Sequence, residues 1–337
     1  MSPVPTRLVS YSPLRISFGG GGTDISPFIE KYGSAVLNTT IDRGVMVRYV
    51  KDDFPLEISS RDFVKSYLIS HEQRTAKSVS ENIMNLFVSR KIESGRVIMN
   101  SDVPPGSGLG SSSALTTAVI GLIDSLTGKR KSPIELANES FLTERDLLGV
   151  TLGRQDPYAI SVGGFKFMEF DGDKVKIEKF NAGTSFLNTL ENSILLVYTG
   201  KTRESSAALA EQVEKAKIGE GNTIARLLYL KELAYDMRDA VRQEDVHALA
   251  SLINRGWEIK KSLGKNVSND RIERIEKRAF ASGAEAVRLL GGGSQGFVLA
   301  LANEGKLEKL QEAMVKSSRF VVRVSFDPMG TRVIDGQ

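Results

Sequence analysis

Residues 104–114 read Pro-Pro-Gly-Ser-Gly-Leu-Gly-Ser-Ser-Ser-Ala and pass directly into an apolar-periodic segment. Alternating glycines let a backbone turn tightly and let a ligand approach it closely, at an entropic cost that packing does not offset. Leu115, Val119, Leu122 and Leu126 then fall on one face of a helix beginning near Ser112. A loop that ends at a helix N-terminus turns free N–H groups and the positive end of the helix dipole toward its contents, which suits phosphate. Ser111, Ser112 and Ser113 add hydroxyls. A plain Gly/Ser turn with an N-cap is the bland alternative, and a string of this length is more than such a turn requires. The loop lacks the Gly-Lys-Ser/Thr ending of the common P-loop. It also lacks the third glycine of the dinucleotide fingerprint, since position 111 is serine, and it follows two prolines rather than a buried strand.

At 337 residues the chain is long enough for two packed lobes. Val45–Tyr49, Val97–Met99 and Gly163–Phe170 read as strands of the first half. Ser132-Pro133-Ile134-Glu135 is a capping box with proline at the first helical position, starting a helix that runs to about Leu148. Asp171–Leu190 is polar and poor in strand pattern, so the boundary between lobes is placed there, at 1–180 and 181–337. In the second half Ile194–Tyr198 reads as a buried strand, and Leu227, Leu230, Ala234, Met237 and Val241 mark an amphipathic helix. Helices over Ala248–Ser262, Arg271–Ser282 and Lys306–Val315 alternate with strands at Val287–Leu290, Phe297–Leu301 and Phe320–Val324, an α+β pattern.

The chain has no cysteine, which excludes disulfides, thiolate catalysis and cysteine metal sites. Its two histidines, His71 and His247, are isolated, so any metal should be a hard cation on oxygen ligands. The net charge of +4 is spread through mixed-sign runs such as Lys260–Lys261, which favours an anionic small molecule over nucleic acid. No stretch reaches the ~18 apolar residues of a membrane span. Residues 1–12 carry Pro3 and Pro5 and no apolar core, so a cytoplasmic protein without a secretory signal is expected. A homodimer is compatible with the sequence.

The 104–114 string resembles the second motif of the GHMP kinases. Two further segments agree in the family's order: Pro13-Leu14-Arg15-Ile16-Ser17-Phe18-Gly19-Gly20-Gly21-Gly22-Thr23-Asp24, and Arg288-Leu289-Leu290-Gly291-Gly292-Gly293-Ser294-Gln295-Gly296-Phe297. The resemblance spans nearly the whole chain. It implies an α+β, two-lobed kinase with a ribosomal S5 domain 2-like N-terminal lobe and a ferredoxin-like C-terminal lobe. It also implies ATP and Mg²⁺, with the nucleotide phosphates over Pro105, Gly106, Ser107, Gly108, Leu109, Gly110, Ser111 and Ser112. Ser112 and Glu144 match the family's metal ligands. Gly153-Arg154-Gln155-Asp156-Pro157 resembles the segment of its catalytic aspartate, which maps onto Asp156, and Arg15 matches its frequent Lys or Arg. A carboxylate within reach of a hydroxyl can take its proton, and a fixed cation beside it stabilises developing charge. Asp24, with Gly22 and Thr23, matches the substrate grip of the sugar-kinase branch, where a carboxylate accepts from hydroxyls. Lys201 and Arg203 follow a buried strand and could hold a substrate phosphate.

For the acceptor, a phosphorylated small molecule is expected. The cysteine-free composition suits a heat-loving source. Leu14–Asp24 and Gly153–Gly164 most resemble the D-glycero-D-manno-heptose 7-phosphate kinase branch, but Pro157 and the Gly-Gly-Gly-Ser-Gln-Gly turn at 291–296 depart from it. With the composition, these departures place a mevalonate-3-phosphate 5-kinase first and a D-glycero-D-manno-heptose 7-phosphate 1-kinase second. A non-catalytic metabolite sensor would be marked by loss of Asp156, Glu144 or Ser112, and all three are present.

Overall fold

The structure, a computed structural model, describes residues 7–60, 65–68, 79–104, 106–149, 151–181, 184–200, 213–215 and 220–335. The strands are β1 (Arg7–Gly19), β2 (Ser34–Pro55), β3 (Glu57–Ser60), β4 (Lys65–Leu68), β5 (Ser94–Ser101), β6 (Lys166–Asp171) and β7 (Lys174–Lys179). Then come β8 (Ile194–Tyr198), β9 (Ala284–Leu289), β10 (Phe297–Ala302), β11 (Val321–Val322) and β12 (Arg332–Asp335). The helices of the first half are α1 (Phe28–Tyr32), α2 (Val79–Ser89), α3 (Ser111–Leu126), α4 (Pro133–Leu142) and α5 (Gln155–Val162). Those of the second half are α6 (Ser185–Glu191), α7 (Gly221–Arg242), α8 (Val246–Lys261), α9 (Asp270–Ala281) and α10 (Leu307–Val315). Among the described residues no helix is long and apolar enough to cross a membrane.

The first sheet runs β12-β1-β2-β5-β3-β4, with β6 and β7 added alongside the first half of β2. β2 is long because its two halves pair with different partners: Ser34–Asn38 with β6, and Val45–Val50 with β5. The short strands expected at 45–49 and 97–99 are the middles of these longer ones. β1 was not expected as a strand, yet its alternation explains its role. Leu14, Ile16 and Phe18 point into the core at 0% exposure, so Arg15 and Ser17 point to the opposite face. That face is covered by α3 and α5. α3 is buried almost all round, and the Asp124 that interrupts its apolar run pairs with Lys131 at 2.6 Å.

The capping box at Ser132 forms as expected: the Glu135 N–H donates to Ser132 Oγ, and the Ser132 N–H donates to Glu135 Oε2 at 2.7 Å. The helix does not run evenly to Leu148. It ends at Leu142 and continues as a π-helical turn over Thr143–Leu147. Asp171–Leu190 also differs from expectation, since it holds β7 and α6. In β7 Lys174, Lys176 and Glu178 alternate with Val175 and Ile177 along a sheet edge, so the segment averages as polar. Edge strands are commonly charged in this way.

The second sheet has the order β11-β8-β10-β9, all antiparallel. Counting its strands along the chain gives 4-1-3-2, with helices in the first and third connections, which is the ferredoxin-like arrangement. The two sheets share one apolar cluster in which Phe18 and Phe167 meet Met237 of α7, Ile253 of α8 and Leu299 of β10. After β11 the chain returns to the first sheet. Asp42 N–H donates to Ser325 O, Asp327 N–H to Thr40 O and Thr331 N–H to Ile160 O before β12 pairs with Leu8–Tyr11.

The loop before α3 is clamped between the lobes. Gly108 has φ +76°, and a Cβ there would sit 2.5 Å from the carbonyl oxygen of Leu290. Gly128 has a similar φ of +72° but open space around it. Gly128→Ala should therefore cost about 1 kcal/mol, the left-handed backbone penalty alone. Gly108→Ala should cost at least ~3 kcal/mol, because the clash with a fixed backbone adds to that penalty. Urea denaturation of the two variants checks the difference, and equal costs would refute the clamp.

Candidate active site

β1, the 106–113 loop, the π-helical turn, the start of α5, α8 and the turn after β9 converge on one cleft of about 230 Å³. Gly106, Gly108 and Gly110 have φ of +72°, +76° and +77°. Alternating left-handed residues turn successive N–H groups to one side, a shape that cradles anions. The carbonyls face the other way. Ser107 O accepts from Phe297 N–H at 2.9 Å, Gly108 O from Arg15 Nη1 at 2.7 Å, and Leu109 O from Arg15 N–H at 3.0 Å. Gly110 then caps α3 with no side-chain partner for the first turn, which contains no carboxylate. The N-terminus of α3 is thus left for an anion.

Of the loop residues expected to meet nucleotide, Gly106, Gly108, Gly110, Ser111 and Ser112 line the cleft, joined by Ser113. Ser107 and Leu109 instead turn inward and are fully buried, and Pro105 lies outside the described residues. Gly291 lies against Gly108, so the third glycine-rich segment backs the loop.

Asp156 sits in the first turn of α5. Both its oxygens accept from Arg15, Oδ1 from Nε and Oδ2 from Nη2, each at 2.7 Å. The arginine side chain is 6% exposed and the aspartate 22%, so the carboxylate is the partner that opens to the cleft. A carboxylate has about four acceptor positions, and a bidentate arginine leaves half of them for another donor.

Glu144 lies on the π-helical turn at 1% exposure, not on a solvated helix face. Ser112 Oγ donates to its Oε2 at 3.1 Å, while Oε1 is buried without a hydrogen-bond partner. Burial pushes the carboxyl up to about 7, against the Ser113 and Ser112 hydroxyls, with the Asp156 charge adding a smaller push. A buried carboxylate oxygen with nothing to bond, beside a serine hydroxyl and an anion-binding loop, is a fitting half-set for Mg²⁺, which takes few protein ligands and completes its shell with phosphate and water. Among the described residues there is no group of three or more His, Cys, Asp or Glu that could hold a metal alone.

Asp24 is buried and lines the same cleft. Gly22 N–H donates to Oδ1 and Gln155 N–H to Oδ2, both at 3.0 Å, so motif one and the start of α5 are tied through this carboxylate. It does not cap a helix, since α1 begins only at Phe28. Burial raises its pKa, opposed by the amide of Gln155. Gly22 also lines the cleft, whereas Thr23 bonds to Gly20 O and Ser34 Oγ inside the turn and does not. Lys201 and Arg203 lie outside the described residues, as does His71. His247 is exposed and paired with Glu285.

The sequence reading missed two cations of the cleft. Lys260 was taken with Lys261 as mixed surface charge, yet it is 6% exposed and donates to Gly291 O at 2.6 Å. Its signal was spacing: Leu249, Ile253, Gly256 and Lys260 share the inward stripe of α8. Arg288 was quoted only as part of a motif, and it stands 4% exposed in a strand buried on both faces.

Comparison with known proteins places the chain in a family. The GHMP kinases N terminal domain matches residues 73–164, and GHMP kinases C terminal matches residues 237–318. D-glycero-alpha-D-manno-heptose 7-phosphate kinase of Campylobacter jejuni is 31% identical over 333 residues, covering 96% of this chain and 97% of that protein. Mevalonate kinase of Pyrococcus furiosus is 29% identical over 212 residues, covering 61% of this chain and 59% of that protein. The crystal structure of a D-glycero-D-manno-heptose 1-phosphate kinase from Bacteriodes thetaiotaomicron superposes with a TM-score of 0.78 over 98% of this chain and 99% of that one, at 25% identity.

The raised Glu144 pKa has a sign that can be checked. Below about pH 4.5 the group is neutral whether folded or unfolded, and above about pH 7 it is ionised in both, so the folded state carries the burial cost only at the higher pH. Glu144→Gln should raise the Tm of the metal-free protein at pH 8 and leave it unchanged at pH 4. In the same variant Mg²⁺ should no longer raise the Tm measured with ADP. A lowered Tm at pH 8 would contradict the assignment.

Proposed function

Because the chain belongs to the GHMP kinase family, whose members transfer phosphate from ATP with Mg²⁺ to a hydroxyl, we propose that its acceptor is a sugar phosphate of the heptose 7-phosphate type. The observation that carries this reading is likeness along the whole chain, 96% of it, to a heptose 7-phosphate kinase, against 61% for a mevalonate kinase. The mevalonate 3-phosphate acceptor, placed first by composition and by the departures at Pro157 and 291–296, moves to second place. Absence of cysteine speaks to the source of a protein and not to what its cleft grips. The paired carboxylates Asp24 and Asp156 on one cleft wall suit a polyol, which offers several hydroxyl donors at once.

In this reading the N–H groups of the 106–112 loop and the start of α3 bind the nucleotide phosphates. Ser112 Oγ and Glu144 hold Mg²⁺, which when bound neutralises charge on the transferring phosphates. Asp24 accepts a hydrogen bond from one acceptor hydroxyl and fixes the sugar's orientation. Asp156 accepts from the reacting hydroxyl and takes its proton as the new oxygen–phosphorus bond forms. Arg15 holds both oxygens of Asp156 and, through its third nitrogen, the carbonyl of Gly108. The base and the phosphate loop are therefore set at a fixed spacing, and positioning is the larger part of catalysis in phosphoryl transfer.

Asp156→Asn should lower kcat by ~100-fold or more while leaving the ADP dissociation constant unchanged. Near-full turnover in that variant would remove the base. The acceptor is tested by following ADP release with Mg-ATP against heptose 7-phosphate, mevalonate 3-phosphate, mevalonate, galactose and fucose. Turnover with heptose 7-phosphate is expected. Turnover with mevalonate 3-phosphate alone would overturn the acceptor and leave the kinase chemistry standing.

A further inference from the structure

Lys260 and Arg288 are buried cations that line the cleft, and among the described residues neither forms an ion pair. Buried charges are ordinarily paired, because an uncompensated one loses its hydration with nothing in return. Here each has only a neutral partner: Lys260 donates to Gly291 O, and Arg288 donates through Nη1 to Phe18 O. Arg288 Nε is buried with no partner at all. Arg15, the third cation of the cleft, is already committed to Asp156. The cleft thus holds two cationic side chains that no carboxylate pairs, and one buried donor, Arg288 Nε, left open.

We propose that Lys260 and Arg288 form a subsite for the phosphate group that the acceptor already carries. The ligand class is a phosphomonoester dianion, and the proposal rests on the sugar-phosphate reading above. Placement favours the acceptor's phosphate over the nucleotide's. Arg288 is anchored to Phe18 in the strand that leads into Gly21, Gly22 and Asp24, on the acceptor wall. The nucleotide phosphates have their own provision in the α3 N-terminus, Ser112 and Glu144, and Lys260 reaches the loop only through Gly291 O, behind Gly108. Lys201 and Arg203, the candidates that sequence suggested for this role, lie outside the described residues.

The electrostatics agree. Burial, then the neighbouring Arg288, lowers Lys260 to about 7, while Asp24 and Asp156 oppose the shift and Arg15 adds to it. Burial and Arg15 lower Arg288 to about 10. An arriving dianion reverses the balance at both groups. Above pH 7 its binding therefore draws a proton onto Lys260, and acceptor affinity falls as pH rises from 7 to 9.

The test compares the native protein with Lys260→Met and Lys260→Arg. Preference for heptose 7-phosphate over unphosphorylated heptose, as the ratio of kcat/KM, should fall at least ~30-fold in Lys260→Met, the size expected for losing one charged hydrogen bond. Lys260→Arg should recover much of it. An equal loss of kcat with both sugars would overturn the proposal and give Lys260 to the transferring phosphate instead. An unchanged ratio would overturn it outright. A second measurement does not depend on the acceptor's identity. With the nucleotide site filled by Mg-ADP, inorganic phosphate should raise the Tm of the native protein and not of Lys260→Met. Phosphate protection without turnover of any sugar phosphate would refute the acceptor reading and keep the subsite. Equal protection of both proteins would refute the subsite. Because the methionine removes an unpaired buried charge, Lys260→Met should fold with a Tm no lower than the native protein's.

Discussion

Three consecutive carbonyls, those of Ser107, Gly108 and Leu109, are each claimed by a donor outside the loop: Phe297 N–H from the second lobe, and Arg15 Nη1 and N–H from the first. A peptide unit cannot turn its oxygen one way without turning its N–H the other. By capturing the oxygens, the two lobes fix the path of the loop, within which Leu109 N–H is itself taken by Ser107 Oγ at 3.3 Å. Left-handed glycines are then needed at alternate positions, and the backbone of Gly291 can press against Gly108 only because neither has a side chain. The anion site is a by-product of where its carbonyls are buried. It exists only while both lobes are docked.

Much of this was legible in the sequence, and what was missed follows a physical pattern. The capping box at Ser132, the stripe of α7 and the α+β character of the second lobe were readable because each is set by local chemistry or by a period, whereas its ferredoxin-like order came with the resemblance. Asp156, Arg15, Ser112, Glu144 and Asp24 were found through motif resemblance, and the fold brings all five to one cleft. β1 escaped although Leu14, Arg15, Ile16, Ser17 and Phe18 alternate apolar with polar, because the alternation runs straight into four glycines and is short on its own. The π-helical turn at Thr143–Leu147 escaped because a single widened turn leaves no trace in composition. Lys260 escaped because a lysine is read as solvated unless its place on an apolar stripe is weighed first.

The distribution of charge separates structure from chemistry. Away from the cleft, ionised groups are paired and partly exposed, as in Lys131 with Asp124 and Glu139 or Arg242 with Glu178. Such pairs are individually worth little. Inside the cleft, Glu144, Asp24, Lys260 and Arg288 are buried with unfinished hydrogen bonding or with charges left unpaired. Their pKa values are displaced, and they sit where ligands would complete them; outside the cleft, burial also lowers Lys166, which donates to Gly164 O. Local instability of this kind is tolerated because the surrounding cluster from Phe18 to Leu299 is closely packed and shared between lobes.

The return of β12 to the first sheet has a mechanical consequence. The chain crosses between lobes twice, once before β8 and again between β11 and the segment that zips along Thr40 and Asp42. A body attached to another at one point can swing in any direction, whereas two attachments leave one easy rotation, about the line that joins them. The protein is thus built like a door on two hinges rather than a ball on a tether. A rotation of one lobe against the other would be easiest about that line.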